Sequence, residues 1–166
     1  YTALAEAIGR QIDAGVDGIV VGHGTDTMGH TAAVLSFMVQ ESPVPIVLVG
    51  SQRSSDRPSS DAALNLIHAV KAAGTGDIAE VQISMFGPTS DRYGLLHRGT
   101  RCRKMHSSYR STFRTVGDVP LAMVSRDEIR YVSRDFLPRD SPAWMDAAPE
   151  PFRPGLQREL SIRVSP

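Results

Sequence analysis

The sequence predicts an α/β fold, an open and mostly parallel sheet with helices on both faces. Short apolar-rich runs, Asp17 to Val21, Val44 to Val49 and Val81 to Phe86, are spaced along the chain. Between them lie longer stretches whose apolar residues recur at helical spacing. Strand, helix, strand, helix, strand is the rhythm of parallel strands buried on both sides.

Each element has its local reason. Tyr1 to Gly15 reads as an amphipathic helix, with Leu4, Ala5, Ile8 and Ile12 on one face and Gly15 as its stop. Asp17 to Val21 follows as a short buried strand. Gly24 turns the chain, Asp26 or Thr27 caps the next helix, and Ala32, Leu35, Phe37, Met38 and Val39 form its apolar set. Pro43 and Pro45 lead into the strand Val44 to Val49. After the polar loop of residues 50–57, Pro58, Ser59, Ser60 and Asp61 are expected to open a helix running to about Ala73, ended by Gly74 to Gly76. Val81 to Phe86 is the third strand. Beyond it, Tyr93 to His97, Thr100 to His106 and Leu121 to Val124 are shorter strand-like pieces. Prolines at 138, 142, 149, 151 and 154 suggest a linker, and Leu160 to Val164 alternates again.

The organisation predicted is therefore an α/β domain over 1–137, a Pro-rich linker over 138–159, and the start of a second domain at 160–166. The 166 residues suit one main core. Because Tyr1 is not an initiator methionine and a helix begins at once, a strand is expected upstream, and the fold is expected to be incomplete at both ends. Apolar runs such as Ile46 to Val49 fall far short of the roughly 20 residues of a membrane span. The single cysteine, Cys102, fits a reducing cytoplasm, and the expectation is a cytoplasmic protein with no membrane partner.

Acidic and basic residues balance, 18 against 18, so the whole chain carries no nucleic-acid charge signature. Between Arg92 and Arg114, however, Arg92, Arg98, Arg101, Arg103, Lys104, Arg110 and Arg114 occur without one carboxylate. That run is either a solvated basic face or an anion-handling surface. Only two of the 18 basic residues are lysines, Lys71 and Lys104. Arginine holds its proton too tightly for proton transfer, whereas a buried lysine can be tuned, so Lys104 stands out.

Loops leaving the carboxyl ends of parallel strands line the ligand crevice, which puts Thr25-Asp26 and Ser51-Gln52 on the functional edge. A threonine hydroxyl needs a base to take its proton and an acid to orient the set; Thr25, Lys104 and Asp26 supply those three types. The helix after Asp26 points its positive end into the same crevice. Thr-Asp at a helix start also has a purely structural reading as a cap. His23, Asp26 and His30 lack the spacing of a metal-binding helix, so no metal site is expected, and Gly22-x-Gly24 does not complete a dinucleotide fingerprint.

At these residues the sequence resembles a known family. Val20-Val21-Gly22-His23-Gly24-Thr25-Asp26-Thr27-Met28 with Thr31-Ala32 is similar to the second active-site motif of the asparaginase/glutaminase family. The run from Val47 to Asn65, with Gly50-Ser51-Gln52-Arg53-Ser54-Ser55-Asp56-Arg57-Pro58, and the run from His97 to Ser108 resemble one branch, the amidohydrolase subunits of archaeal tRNA-dependent amidotransferases. The resemblance spans about residues 10 to 125. It implies an amidohydrolase domain of the asparaginase N-terminal type, with Thr25, Asp26 and Lys104 catalytic and Gly24, Thr25, Asp26 and Ser51 facing the substrate.

The expected activity is release of ammonia from glutamine for conversion of Glu-tRNA(Gln) to Gln-tRNA(Gln). The alternatives are a free-standing L-asparaginase and a non-catalytic remnant of the family. The implied partners are glutamine or asparagine as substrate, a kinase-like subunit, tRNA through the complex, and a second copy in a homodimer. No cofactor is expected in this chain, with ATP and Mg on the partner subunit. The family's first threonine motif, of Gly-Thr-Ile type, is not in this sequence, and the chain as it stands is expected to be catalytically silent.

Overall fold

The structure, a computed structural model, describes residues 1–87 and 91–139. Among these residues three helices and eight strands follow one another, with the strands divided between a six-stranded sheet and a two-stranded hairpin. The first helix, α1, spans Thr2–Asp13 and buries Ala5, Ile8 and Gly9. Gly15 ends the turn after it with φ +79, a conformation that costs glycine nothing.

Strands β1 (Ile19–Gly22), β2 (Ile46–Val49) and β3 (Val81–Phe86) lie side by side and parallel. All four residues of β2, an unbroken aliphatic run, are buried, and so are all six of β3, Gln82 and Ser84 included. Side chains alternate across the sheet, and β2 shows it directly. Ile46 and Leu48 join the core formed with Ala5 and Ile8 of α1 and with Met28, Ala32 and Leu35 of α2 (Met28–Met38). Val47 and Val49 join the opposite core, with Ala69, Ala72 and Ala73 of α3 (Ala62–Thr75).

Strand β4 (Gly94–Arg98) runs antiparallel beside β3. The chain then leaves the sheet through a 3-10 turn, Gly99–Arg101, and forms the hairpin of β5 (Cys102–Lys104) with β6 (Phe113–Thr115). It returns as β7 (Ala122–Val124) and β8 (Ile129–Tyr131), both paired antiparallel. The order is β1-β2-β3-β4-β7-β8, in which β1, β2, β3 and β7 point one way and β4 and β8 the other. The sheet is thus mostly parallel in strand direction with helices on both faces, as predicted, and its parallel pairings are concentrated in β1-β2-β3.

Several boundaries differ from the expectation, each for a local reason. The third helix starts at Ala62, not at Pro58, because residues 58–61 fold back on the loop before them. Ser59 has φ +58, which no right-handed helix accommodates. The Ser60 hydroxyl donates to Arg53 O at 2.7 Å. That helix also runs through Gly74 to Thr75, whose hydroxyl bonds back to Lys71 O. The strand expected over Thr100 to His106 is interrupted at its start by the 3-10 turn. There a Cβ on Gly99 would come within 2.6 Å of Ser36 Oγ and 2.9 Å of Ala32 O, so α2 sits directly on the glycine. The strands β6 and β8, three residues each, have no apolar run of their own to announce them.

At the predicted domain boundary, Pro138 pairs with Ile78 and Arg139 donates to Ala73 O and Gly76 O at 2.7 and 2.9 Å. The rest of the expected linker, and the expected strand from Leu160 to Val164, lie outside the described residues.

His97 on β4 ties the hairpin to the sheet. Its neighbour Leu96 faces the α3 core, so His97 faces the other way, where Nδ1 lies 2.8 Å from Thr115 Oγ1 of β6. The ring is fully buried, and burial, aided by Arg114, pushes its pKa down from 6.5 to about 4. The unfolded chain therefore binds a proton at His97 that the native state refuses between these two values. Stability is complete above about pH 6.5 and declines as pH falls toward about 4, with a contribution on the order of 3 kcal/mol. Urea unfolding from pH 7 to 4.5 should show this slope, and His97→Gln should lose most of it. His68, also lowered by burial, accounts for a residue of slope. An unchanged slope in His97→Gln would refute the assignment.

Candidate active site

The turn after β1 presents Thr25 and Asp26 just before α2, whose N-terminal residue is Met28. Thr27 occupies the cap position without a side-chain bond, and the Asp26 carboxylate accepts from Lys104. His23 braces this turn. Its Nδ1 lies 2.6 Å from Gly24 O, and since a carbonyl only accepts, Nδ1 carries the hydrogen. In the neutral ring Nε2 then accepts from the Thr31 hydroxyl at 2.9 Å. Both nitrogens of His23 are thus committed to holding the turn against the first turn of α2.

Lys104 reaches this turn from the hairpin. Strand alternation turns Cys102 and Lys104 to one side and exposes Arg103 on the other. Gly29 of α2 lies against Cys102 O, where a Cβ would sit 3.0 Å away, so the helix and the hairpin meet without an intervening side chain. The Lys104 ammonium donates to Thr25 Oγ1 at 2.9 Å and to Asp26 Oδ1 at 2.6 Å. The lysine side chain is 14% exposed and the carboxylate 91% exposed. The hydrogen bond from Lys104, reinforced by its charge, holds the Asp26 carboxyl below its usual range.

The second wall comes from the end of β2. A Cβ on Gly50 would lie 2.5 Å from His23 O and 3.2 Å from Thr25 Cγ2, so glycine lets the two loops close on each other. A hollow of about 340 Å³ opens between them, lined by Gly24, Thr25, Gly50 and Ser51 among others. Of the residues expected to face substrate, Gly24, Thr25 and Ser51 line this hollow, and Asp26 stands beside it on Lys104.

Three residues hold this wall in place: Gln52, which the sequence put on the functional edge, Asp61, which it read as part of a helix start, and Asn65, to which it gave no separate role. The Asp61 carboxylate, completely buried, accepts the backbone N–H groups of Gln52 at 3.0 Å and Arg53 at 2.9 Å. The Asn65 amide donates to the same carboxylate at 2.8 Å and to Gly50 O at 2.9 Å. The Gln52 amide crosses to the loop beyond Lys104, donating to Tyr109 O at 3.0 Å and Ser107 O at 3.3 Å. Asp61 and Asn65, four apart and on one face of a helix, were the available signal.

The basic run between Arg92 and Arg114 divides by role. Arg98 forms a two-pronged pair with Glu80 at 2.8 and 3.2 Å, Arg110 pairs with Asp91 at 3.2 Å, and Lys104 serves the site. Arg103 and Arg114 face each other across the hairpin, both exposed. It is neither one solvated face nor one anion surface. Among the described residues no group of three or more metal-ligating side chains occurs, and no helix is long and apolar enough to cross a membrane.

A parallel-sheet α/β domain with a Thr-Lys-Asp set at the carboxyl ends of its strands defines a class. The chain belongs to the asparaginase family, whose N-terminal domain matches residues 1–136. It is 51% identical over 148 residues to a glutamyl-tRNA(Gln) amidotransferase subunit of Pyrococcus horikoshii, covering 88% of this chain and 34% of that protein. The corresponding amidotransferase subunit of Thermococcus kodakarensis is 55% identical over 140 residues, 84% of this chain and 32% of that protein. The chain therefore spans about a third of the length of these relatives. Among solved structures, the thermostable L-asparaginase from Thermococcus kodakarensis matches with a TM-score of 0.73 at 30% identity, over 82% of this chain and 39% of that one. L-asparaginase I from Vibrio cholerae matches with a TM-score of 0.72 at 32% identity, over 86% and 40%.

If Asp61 is the pin of the Ser51 wall, Asp61→Asn should turn an amide hydrogen toward one of the two backbone donors. A loss of about 2–4 kcal/mol in unfolding free energy is expected. Wild-type stability in this variant would show that the carboxylate holds nothing.

Proposed function

We propose that this chain supplies the amide-hydrolysing domain of the glutamine amidohydrolase subunit of a tRNA-dependent amidotransferase. The observation that carries the reading is the Lys104 ammonium shared between Thr25 Oγ1 and Asp26 Oδ1. That is the set which a threonine-based amidase needs: a hydroxyl, a group that moves its proton, and a carboxylate that fixes that group. Identity of 51–55% to proteins named as glutamyl-tRNA(Gln) amidotransferase subunits, against 30–32% to the matched asparaginases, favours the amidotransferase reading over a free-standing asparaginase. The meeting of Thr25, Asp26 and Lys104 speaks against a non-catalytic remnant.

In the proposed reaction the side-chain amide of glutamine enters the hollow beside Thr25 and Ser51. Once its ammonium has given up a proton, Lys104 takes the proton of Thr25 Oγ1 as that oxygen takes one from the attacking water, and hands it on to the leaving nitrogen, while Asp26 keeps the lysine aimed. The N-terminus of α2 favours negative charge developing on the amide oxygen. The acyl carbon gains the oxygen of water, the C–N bond breaks, and the nitrogen leaves with the protons that make it ammonia. Ammonia passes to a kinase-like partner subunit, which holds ATP and Mg and amidates Glu-tRNA(Gln) to Gln-tRNA(Gln). The full-length protein works in the cytoplasm as a homodimer within that complex.

Lys104→Arg in the full-length protein keeps the charge and removes proton transfer, so ammonia release from glutamine should fall roughly 10²–10⁴-fold with folding intact. An Arg variant that retains most of its rate would reduce Lys104 to a charge partner. The amidotransferase reading is tested by supplying the partner subunit, ATP, glutamine and Glu-tRNA(Gln) and measuring Gln-tRNA(Gln). Rapid hydrolysis of free asparagine without partner or tRNA would instead select the asparaginase reading.

A further inference from the structure

A second cleft, of about 750 Å³, adjoins the hollow just described, and Ser51 lines both. Its other walls are the loop after β2, with Arg53 and Arg57, and the loop after β5, with Tyr109 and Arg110. We propose that this cleft and its rim are the docking surface for a carboxylate-bearing protein segment of the ammonia-receiving partner subunit. The inference rests on the amidotransferase reading above and adds where and by what chemistry the partner binds.

Charge is the first argument. The cleft lining contains three arginines and no carboxylate among the described residues. Arg110 is engaged with Asp91, but Arg53 and Arg57 are exposed and no carboxylate of the described residues pairs with either. Even Asp56, between them in sequence, has its carboxyl lowered by Ser54 and by its own backbone. Two guanidiniums held on one loop without a counter-charge suit carboxylates brought by another chain, in the two-pronged geometry that arginine favours.

Composition and rigidity are the second. Tyr109 is 64% exposed and Met105 60% exposed, both within five residues of Lys104. Tyrosine, methionine and arginine are the residues over-represented at protein interfaces, and tyrosine and arginine carry most of the energy there. Tyr109 is also pre-set. Its ring stacks on His106 with centroids 4.1 Å apart, and the Gln52 amide holds its carbonyl at 3.0 Å. An aromatic side chain already immobilised on the free surface loses little entropy when a partner covers it. The third argument is position: a protein seated on this cleft covers the opening that meets the amide site at Ser51, where ammonia would otherwise escape to water.

The test uses the full-length protein and the purified kinase-like subunit of the same amidotransferase. Arg53→Glu combined with Arg57→Glu should weaken their association at least tenfold at low salt and flatten its salt dependence, with partner-free glutamine hydrolysis within twofold of wild type. Tyr109→Ala should weaken association without changing the salt slope. Hydrogen exchange in residues 52–58 and 105–110 should slow only when the subunit is added. Association unchanged by these substitutions would overturn the docking site while leaving the functional reading intact. Loss of RNA binding or of self-association instead of subunit binding, or protection already present in the full-length protein alone, would also overturn it. A wild-type protein that binds no such subunit would remove the functional reading itself, and this inference with it.

Discussion

The contact on which the rest depends is the one between the Lys104 ammonium and the Thr25-Asp26 turn. The two partners are 79 and 78 residues apart in sequence, and no local preference brings them together. What does so is the packing of α2, which starts at that turn, on the 3-10 turn and hairpin that carry the lysine. Gly29 and Gly99 make this packing possible, each at a place where a Cβ would strike the backbone or side chain opposite. His97 then fastens the hairpin to the sheet through Thr115. A buried histidine and two glycines, none of them lining the hollow, thus decide where Lys104 stands.

A second constraint acts on the opposite wall. The loop after β2 has to hold Ser51 against the hollow while its own backbone donors lose water. The buried Asp61 carboxylate answers both needs by taking two N–H groups and an amide from Asn65. A carboxylate in such a place is costly unless it is fully bonded, which is why a helix cap is forgone and α3 begins only at Ala62. Gln52 then spans the gap from this wall to the loop beyond Lys104, so the two halves of the site are joined by one side chain as well as by the core.

The buried strands were legible because short apolar-rich runs leave little alternative: Val81 to Phe86, apolar except at Gln82 and Ser84, is a strand over its full predicted length, and β2 lies within its own. That Thr25, Asp26 and Lys104 would come together was legible as well, the lysine because it interrupts a chain that otherwise uses arginine. The start of α3 was not, since Pro58 and the serines after it read as a helix opening until the Asp61 side chain is seen to face backward. Nor were β6 and β8, which are too short to show a period and exist through pairing with distant strands. Gln52, Asp61 and Asn65 stood inside a recognised motif, yet their partners are backbone atoms of loops whose course no spacing rule foretells.

The central claim is that Thr25 and Lys104 act as one unit, and a double-mutant cycle tests it most directly. Ammonia release from glutamine would be measured for full-length Thr25→Val, Lys104→Met and the double variant. The account predicts that the double variant loses about as much rate as the more damaging single one, because either change already disables the shared proton path. Losses that multiply would mean that the two residues act independently, and the 2.9 Å contact would then have no part in the chemistry.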